Sequence, residues 1–540
     1  MTTLAKKSHS GISSNLLIFF AALFLVAAGN QTFVANVLSD FPLGENNAFH
    51  LLSLAVSFVA INALVLALCC IGRATKPVLI SVLLISSLAA YFMDSYGVVI
   101  NDEMLRNAIQ TNVAETLDLM TTSLLFYVLA YGVLPAVVVW KIAVRDGGWR
   151  LELRSRALFV AALVALIAIC VVPYSRFYAS FIREHKSLRS HVNPGYAFYS
   201  VAKFSKELFG AEKNSSITAI GEDASIPPSD IERELIIFVV GEAARADRFS
   251  INGYQRKTTP VLEAENVVSF TNFWSCGTST AVSVPCMFSP DGMEKFDLKQ
   301  FGLKENLLDV LRHAGVNVLW LDNNSDSKGV ALRSEYQNYR SKDKNPVCDE
   351  ECRDVGMLSN LQEYIDSHPK GDIFIVLHQM GNHGPAYFKR YPVEFEKFQP
   401  TCKSNELGKC TREEIGNAYD NAILYTDYFL GQVIGFLKKN DARFETALFY
   451  VSDHGESLGE NGLYLHGLPR GMAPEAQTHI PAIMWFGANY HDVDQAVLRK
   501  KAAKHFTHDS VMPTVLGLME IGTKAYRREL DMLDGSRRPE

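Results

Sequence analysis

The chain has 540 residues, a formal net charge of −6, 48% hydrophobic and 20% charged residues. That length exceeds one average domain, and the mild acidic balance leaves no basic footprint for a nucleic-acid partner. The apolar residues crowd into the first 176 positions, which excludes a uniformly soluble protein.

Five runs approach the roughly 20 apolar residues that cross a bilayer. They are Asn15–Ala28 with a few residues either side, Phe49–Ile71, Pro77–Met93, Thr121–Ile142 and Ala157–Tyr174. The first follows Lys6 and Lys7, as a signal peptide would, but no clean cleavage site follows and four more runs do, so it reads as a retained anchor. Lys6, Lys7, Arg73, Lys76, Lys141, Arg145, Arg150, Arg154 and Arg156 fall on alternate connections. The intervening loops carry only Arg106, amid Asp94, Asp102, Glu103, Glu115 and Asp118. The positive-inside rule then places the amino terminus in the cytoplasm and everything after about residue 176 outside. The expected division is 1–176 in the membrane, 177–234 as a bridge and 235–540 as an exported domain.

In the loop after the third run, "NDEMLRNAIQTNVAETLDLM" has a helical pattern with Asn107, Thr111 and Glu115 on one face. By spacing alone that is first of all a solvated face. The first half of the bridge includes "HKSLRSHVNPGYAFYSVAKFSKELFG", whose mixture of aromatic and basic residues suits an interfacial helix or, equally, an amphipathic core helix. "AEKNSSITAIGEDASIPPSD" then reads as a flexible linker.

From about Leu235 short apolar runs alternate with helical periods. "LIIFVVGE", "NVLWLD", "DIFIVLHQ" and "TALFYVSDHGE" are apolar throughout and end in polar residues, the pattern of parallel strands buried on both faces. Ligands of such sheets collect at the carboxyl ends of the strands. Those ends supply Glu242, the adjacent pair Asp453 and His454, and nearby His378 and His383. Carboxylates with imidazole suit Zn²⁺, with Mn²⁺ as the alternative. Glu242, Asp453 and His454 would leave a fourth position open. "SCGTSTAVSVPC" offers Thr278, Ser279 and Thr280 for it, unless the stretch is merely a hydroxyl-rich surface loop. Coordination lowers the pKa of a bound hydroxyl by several units, and "TAVSVPCMF" reads as a helix start whose N–H groups face an incoming phosphate. His378 divides evenly between site and core, whereas His479, His505 and His508 read as structural.

Three of the nine cysteines, Cys69, Cys70 and Cys170, lie in the apolar runs. The other six form close pairs: Cys276 and Cys286, Cys348 and Cys352, Cys402 and Cys410. Six cysteines allow 15 pairings, of which neighbour with neighbour is the simplest and fits an oxidising compartment. A Cys276–Cys286 bridge would pin the hydroxyl-rich turn, a closure worth about 2–3 kcal/mol.

"VVGEAARADRFSINGY", "SCGTSTAVSVPCMFS", "DNNSDSKGV", "HQMGNHGPAYFKRY" and "YVSDHGESLGENGLYLHG" resemble the phosphoethanolamine–lipid A transferases, the family of the mobilised colistin-resistance enzymes. The likeness spans essentially the whole chain. It implies a bacterial inner-membrane protein with a five-helix transmembrane domain and a periplasmic α/β domain of alkaline-phosphatase/sulfatase type, a mostly parallel sheet between helices. By position, the nucleophile matches Thr280 and the zinc ligands match Glu242, Asp453 and His454, with Thr280 as the fourth. His383 and His466 match the phosphate side, with room for a second, weaker metal. Asn324 and Lys328 match contacts to substrate phosphate. Asn107, Thr111 and Glu115 match lipid head-group residues, with Glu115 placed to pair with an ammonium. The implied reaction passes phosphoethanolamine from phosphatidylethanolamine to lipid A through a covalent threonine intermediate, in a monomer, and confers polymyxin resistance. One departure is Ala243, where the family often has Thr. The rival readings are a phosphoglycerol transferase using phosphatidylglycerol and a catalytically dead membrane sensor.

Overall fold

The structure, a computed structural model, describes residues 11–44, 47–110, 113–145, 148–210 and 217–538, with backbone alone at 113–115, 184, 186–187 and 207–210. The chain forms two compact units, one of Met1–Leu105 with Met120–Ser205, the other of Arg106–Leu119 with Lys206–Glu540.

The first unit is helical. Ala48–Cys69, Gly72–Tyr96, Thr122–Lys141 and Trp149–Val171 are long and apolar enough to cross a membrane. The first apolar run differs from a straight span: Ser14–Gly29 is followed by Gln31–Asp40 at an angle of 66°, and the pair makes a fifth span if counted together. Asn30 sits at the break, and its Nδ2 donates to the carbonyls of Leu25 at 2.9 Å and Asn193 at 2.7 Å, which accommodates the groups an interrupted helix leaves unpaired. Phe20, Leu68 and Ile169 are 54%, 61% and 70% exposed, as expected of helices that are apolar all round and face hydrocarbon. The bridge sequence is helical over Ser175–Glu184, Lys186–Ser190 and Gly195–Gly210.

The second unit is built on ten strands: β1 (Glu234–Gly241), β2 (Val268–Trp274), β3 (Asn317–Asp322), β4 (Glu335–Asn338), β5 (Ile373–His378), β6 (Glu445–Ser452), β7 (Ser457–Leu458), β8 (Tyr464–Leu465), β9 (His479–Phe486) and β10 (Phe506–Thr507). Eight of them make one sheet in the order β10-β2-β9-β6-β1-β5-β3-β4, and β7 with β8 form a small ribbon. Only β9 runs antiparallel to its neighbours β2 and β6. All eight residues of β1 and of β6 are buried. Ile236, Phe238 and Val240 pack into one apolar core with the helices Thr280–Phe288 and Val511–Leu518. Leu235, Ile237 and Val239 pack into another with the 29-residue helix Arg412–Asn440. A strand sandwiched this way has no polar face to offer, which is why its sequence reads as unbroken apolar residues.

The register sets the site. Gly241 of β1 pairs with Ser452 of β6, and Val240 pairs with His378 of β5, so three central strands end level with one another. The disulfides Cys276–Cys286, Cys348–Cys352 and Cys402–Cys410 are all formed, neighbour with neighbour.

Candidate metal centre

β1 ends on Gly241, where an added Cβ would meet the Tyr450 hydroxyl at 2.5 Å, so the backbone passes only without a side chain. Glu242 follows, then Ala243 in the left-handed region with φ +54°. That turn is held from both sides: Ala243 N–H donates to Asp453 Oδ1 at 3.1 Å, and the Tyr419 hydroxyl donates to the Ala243 carbonyl at 2.6 Å. His454 N–H donates to the same Asp453 oxygen at 2.7 Å. Glu242 and Asp453 therefore leave adjacent strands side by side, with His454 next to them. All three are fully buried.

Thr280 opens the helix Thr280–Phe288, after Ser279 in extended conformation. Its Oγ1 donates to Glu242 Oε2 at 3.1 Å and lies 3.4 Å from His454 Nε2. Of the three hydroxyl candidates only Thr280 reaches the carboxylates; Thr278 Oγ1 donates instead to the Leu468 carbonyl at 2.6 Å. The Cys276–Cys286 bridge joins the turn to the helix on either side of Thr280.

His454 Nδ1 donates to the Gly455 carbonyl at 2.8 Å. That fixes the other nitrogen, Nε2, toward Glu242 Oε1 at 3.3 Å and Asp453 Oδ2 at 3.4 Å. Both of these carboxylate oxygens are buried without a hydrogen-bond donor. Among the described residues no Lys or Arg nitrogen comes within 4.0 Å of either carboxylate. Burial, reinforced by the Glu242 charge, pushes the Asp453 carboxyl up to about 7. Burial also disfavours a charged Glu242, but His454 outweighs it and holds this carboxyl below its ordinary range. His454 is pushed up to about 10, as Asp453 and Glu242 outweigh the burial that disfavours its charge. Two buried carboxylates facing one imidazole call for more positive charge than a proton supplies. One ligand oxygen or nitrogen from each of Glu242, Asp453 and His454 lies within 4.8 Å of the others. The donor set and its orphaned oxygens fit a divalent cation, zinc by ligand type.

The other expected residues fall into two groups. His466 packs on His454 with ring centroids 4.1 Å apart, and His383 lies 5.6 Å from His466. Asn324 Nδ2 donates to Glu242 Oε2 at 2.7 Å and to the Gln379 carbonyl at 2.9 Å, so it orients a ligand carboxylate. Lys328 Nζ donates to the Ser325 carbonyl at 2.7 Å and to that of Gln110 at 3.4 Å. Asn107 lies half-buried in the helix Asp102–Gln110. Thr111 is outside the described residues, as is the side chain of Glu115, whose backbone belongs to the helix Val113–Asp118. His378 is buried beneath the centre, its Nδ1 2.9 Å from Asp322 Oδ2.

Three contributors escaped the sequence reading. Glu456 binds His466 Nδ1 at 2.7 Å and accepts from the Tyr387 hydroxyl at 2.6 Å, and it groups with His454 and His466 as a second set of metal-ligand types. Its place two residues after His454 was the available signal. Arg390 is buried, donating through Nε to the His383 carbonyl at 2.6 Å and through Nη2 to Asp118 at 3.2 Å, a pairing 272 residues apart in sequence. His508 accepts at Nδ1 from Cys276 N–H at 3.0 Å, so its proton sits on Nε2 and is donated to the Ser452 carbonyl at 3.0 Å. It thereby joins the Thr280 turn to the end of β6; burial pushes its pKa down to about 3, so it stays neutral.

Residues 234–521 match the Sulfatase family model, and residues 58–209 match that described as phosphoethanolamine transferase EptA/EptB. Phosphatidylethanolamine transferase Mcr-1 of Escherichia coli is 42% identical over 521 residues, 94% of this chain and 95% of that protein. Phosphoethanolamine transferase EptA of E. coli K12 is 38% identical, over 97% of this chain and 98% of that one. Among solved structures, the integral membrane protein lipooligosaccharide phosphoethanolamine transferase A from Neisseria meningitidis superposes with a TM-score of 0.94 at 35% identity, covering 98% of this chain and 100% of that chain.

Proposed function

We propose that this chain, which belongs to the phosphoethanolamine transferase family, moves phosphoethanolamine from phosphatidylethanolamine to a phosphate of lipid A, with zinc as its cofactor. The observation that carries this reading is the meeting of Thr280 Oγ1 with Glu242 Oε2 at 3.1 Å and His454 Nε2 at 3.4 Å. Glu242, Asp453 and His454 would hold the zinc ion next to Thr280, where its charge would ease loss of a hydroxyl proton and offset charge on phosphoryl oxygens.

Thr280 Oγ1 attacks the donor phosphorus as its proton passes to Glu242 Oε2, the acceptor 3.1 Å away. The bond from phosphorus to the glycerol oxygen breaks, and diacylglycerol leaves with a proton from His383 or His466. A P–OH oxygen of the lipid A phosphate then attacks the phosphoethanolamine-threonine and gives its proton to the histidine that protonated diacylglycerol; the bond between Thr280 Oγ1 and phosphorus breaks, and Thr280 takes its proton back from Glu242. Splitting the transfer at a covalent intermediate replaces one hard displacement by two easier ones. We assign Asn324 and Lys328 to phosphate oxygens, and Asn107, Thr111 and Glu115 to the head group. A second, weaker metal beside His383 and His466 would be held by one of them with Glu456, and the other then supplies the proton. The active unit lies on the periplasmic side of the inner membrane and the amino terminus in the cytoplasm, in a monomer. The added ammonium weakens the attraction of lipid A for cationic peptides, hence polymyxin resistance.

Detergent-purified, zinc-loaded protein incubated with fluorescent phosphatidylethanolamine should release diacylglycerol and carry a phosphoethanolamine adduct on the Thr280 peptide, absent in Thr280→Ala. A folded protein that gives neither product would overturn the donor assignment and point to phosphatidylglycerol. Failure with both lipids would favour the sensor reading.

A further inference from the structure

The amino ends of the central strands carry a second convergence of ligand atoms. Glu234 begins β1 and pairs in register with Glu445, which begins β6; Asp372 precedes β5 at the same level. Asp230, in the turn closed by its N–H to the Pro227 carbonyl at 3.1 Å, completes a group with Glu234 and Asp372. One carboxylate oxygen from each of these three lies within 4.8 Å of the other two.

Among the described residues only Arg233 offsets their charge, by its attraction for Asp372. Glu234 is 1% exposed and its Oε2, in the midst of the group, has no hydrogen-bond donor; Asp230 Oδ2 is likewise without one. Asp372 is 4% exposed, accepts at Oδ1 from the Glu234 N–H at 3.3 Å and meets the Glu234 carboxyl side chain to side chain. Among the described residues no Lys or Arg nitrogen lies within 4.0 Å of the three carboxylates. Arg233 attracts Asp372 through space, but its hydrogen bonds go to the carbonyls of Gly371 at 2.8 Å and His368 at 3.0 Å and it lies over the Phe444 ring at 4.6 Å. Burial and mutual repulsion push the Glu234 carboxyl up to about 10. Carboxylates gathered in this way are held either by a shared proton or by a cation.

We propose that Asp230, Glu234 and Asp372 form a divalent-cation site at the amino end of the sheet, distinct from the metal centre at its carboxyl end. The ligands are all oxygen, which selects a hard ion of the Ca²⁺ class over zinc. No residue of this group touches the catalytic centre, so the site serves stability rather than transfer.

The test uses the full-length, zinc-loaded protein in detergent, titrated with CaCl₂ while bound calcium and the unfolding midpoint are followed. The wild type should bind one more Ca²⁺ than Glu234→Gln, with a dissociation constant on the order of 10⁻⁴–10⁻³ M, and saturation should raise its midpoint by about 2–4 °C. Glu234→Gln and Asp372→Asn should lose both responses, while Glu234→Gln in calcium-free buffer stays folded at a midpoint no lower than that of the wild type. Equal calcium stoichiometry in wild type and Glu234→Gln overturns the proposal. So does a midpoint that follows pH but ignores Ca²⁺, Mg²⁺ and Mn²⁺, which would assign the group to shared protons.

Discussion

The same three strands end twice, and the two ends differ in kind. At their carboxyl ends β6, β1 and β5 present Asp453, Glu242 and His378; at their amino ends they present Glu445, Glu234 and Asp372. The first end has nitrogen ligands, a hydroxyl at 3.1 Å from Glu242, and Asn324 steadying that carboxylate. The second gathers carboxylate oxygens only, those of Asp230, Glu234 and Asp372. Burial gathers charge at both ends, but only where the donors are mixed and a reactive group stands beside them does gathered charge become chemistry.

The largest expected effect falls at the carboxyl end. Thr280→Ala should reduce transfer by about 10⁴-fold or more, as for other removed nucleophiles, while the protein still unfolds cooperatively; a loss of tenfold or less would show that another group attacks. Asn324→Ala should weaken zinc binding by about 10–100-fold, read by competition with a chelator, because Glu242 loses the donor that fixes it. Cys276→Ser with Cys286→Ser should cost about 2–3 kcal/mol in denaturant unfolding and lower the transfer rate, since the turn before Thr280 is no longer tied to its helix. Smallest of all, Glu234→Gln should leave the transfer rate within about twofold of wild type; a large loss there would erase the contrast between the two ends.

Much of the carboxyl end was legible in the sequence because apolar strands announce where they stop. Glu242, Asp453 and His454 stand just past such runs, and the helix beginning at Thr280 carried its own signal in "TAVSVPCMF". What stayed hidden depends on contacts between distant segments. Asp118 and Arg390 meet across 272 residues, and neither has a local pattern to mark it. His508 reads as structural in the sequence, and its bonds to Cys276 and to the end of β6 follow only from the sheet order. The bend at Asn30 was missed for a different reason: an apolar run reports hydrophobicity, not the one polar side chain that interrupts it. The amino-end carboxylates look like ordinary strand boundaries one at a time and become a group only through register.

The pairing of β1 with β6 over eight buried positions has a consequence for motion. Amide protons in Leu235–Val240 have both core faces and two neighbouring strands to shield them, so they should exchange with solvent only when the whole unit unfolds. Glu242 and Asp453 are attached directly to this slowest-exchanging part and are thereby anchored to the segment of the unit that opens last.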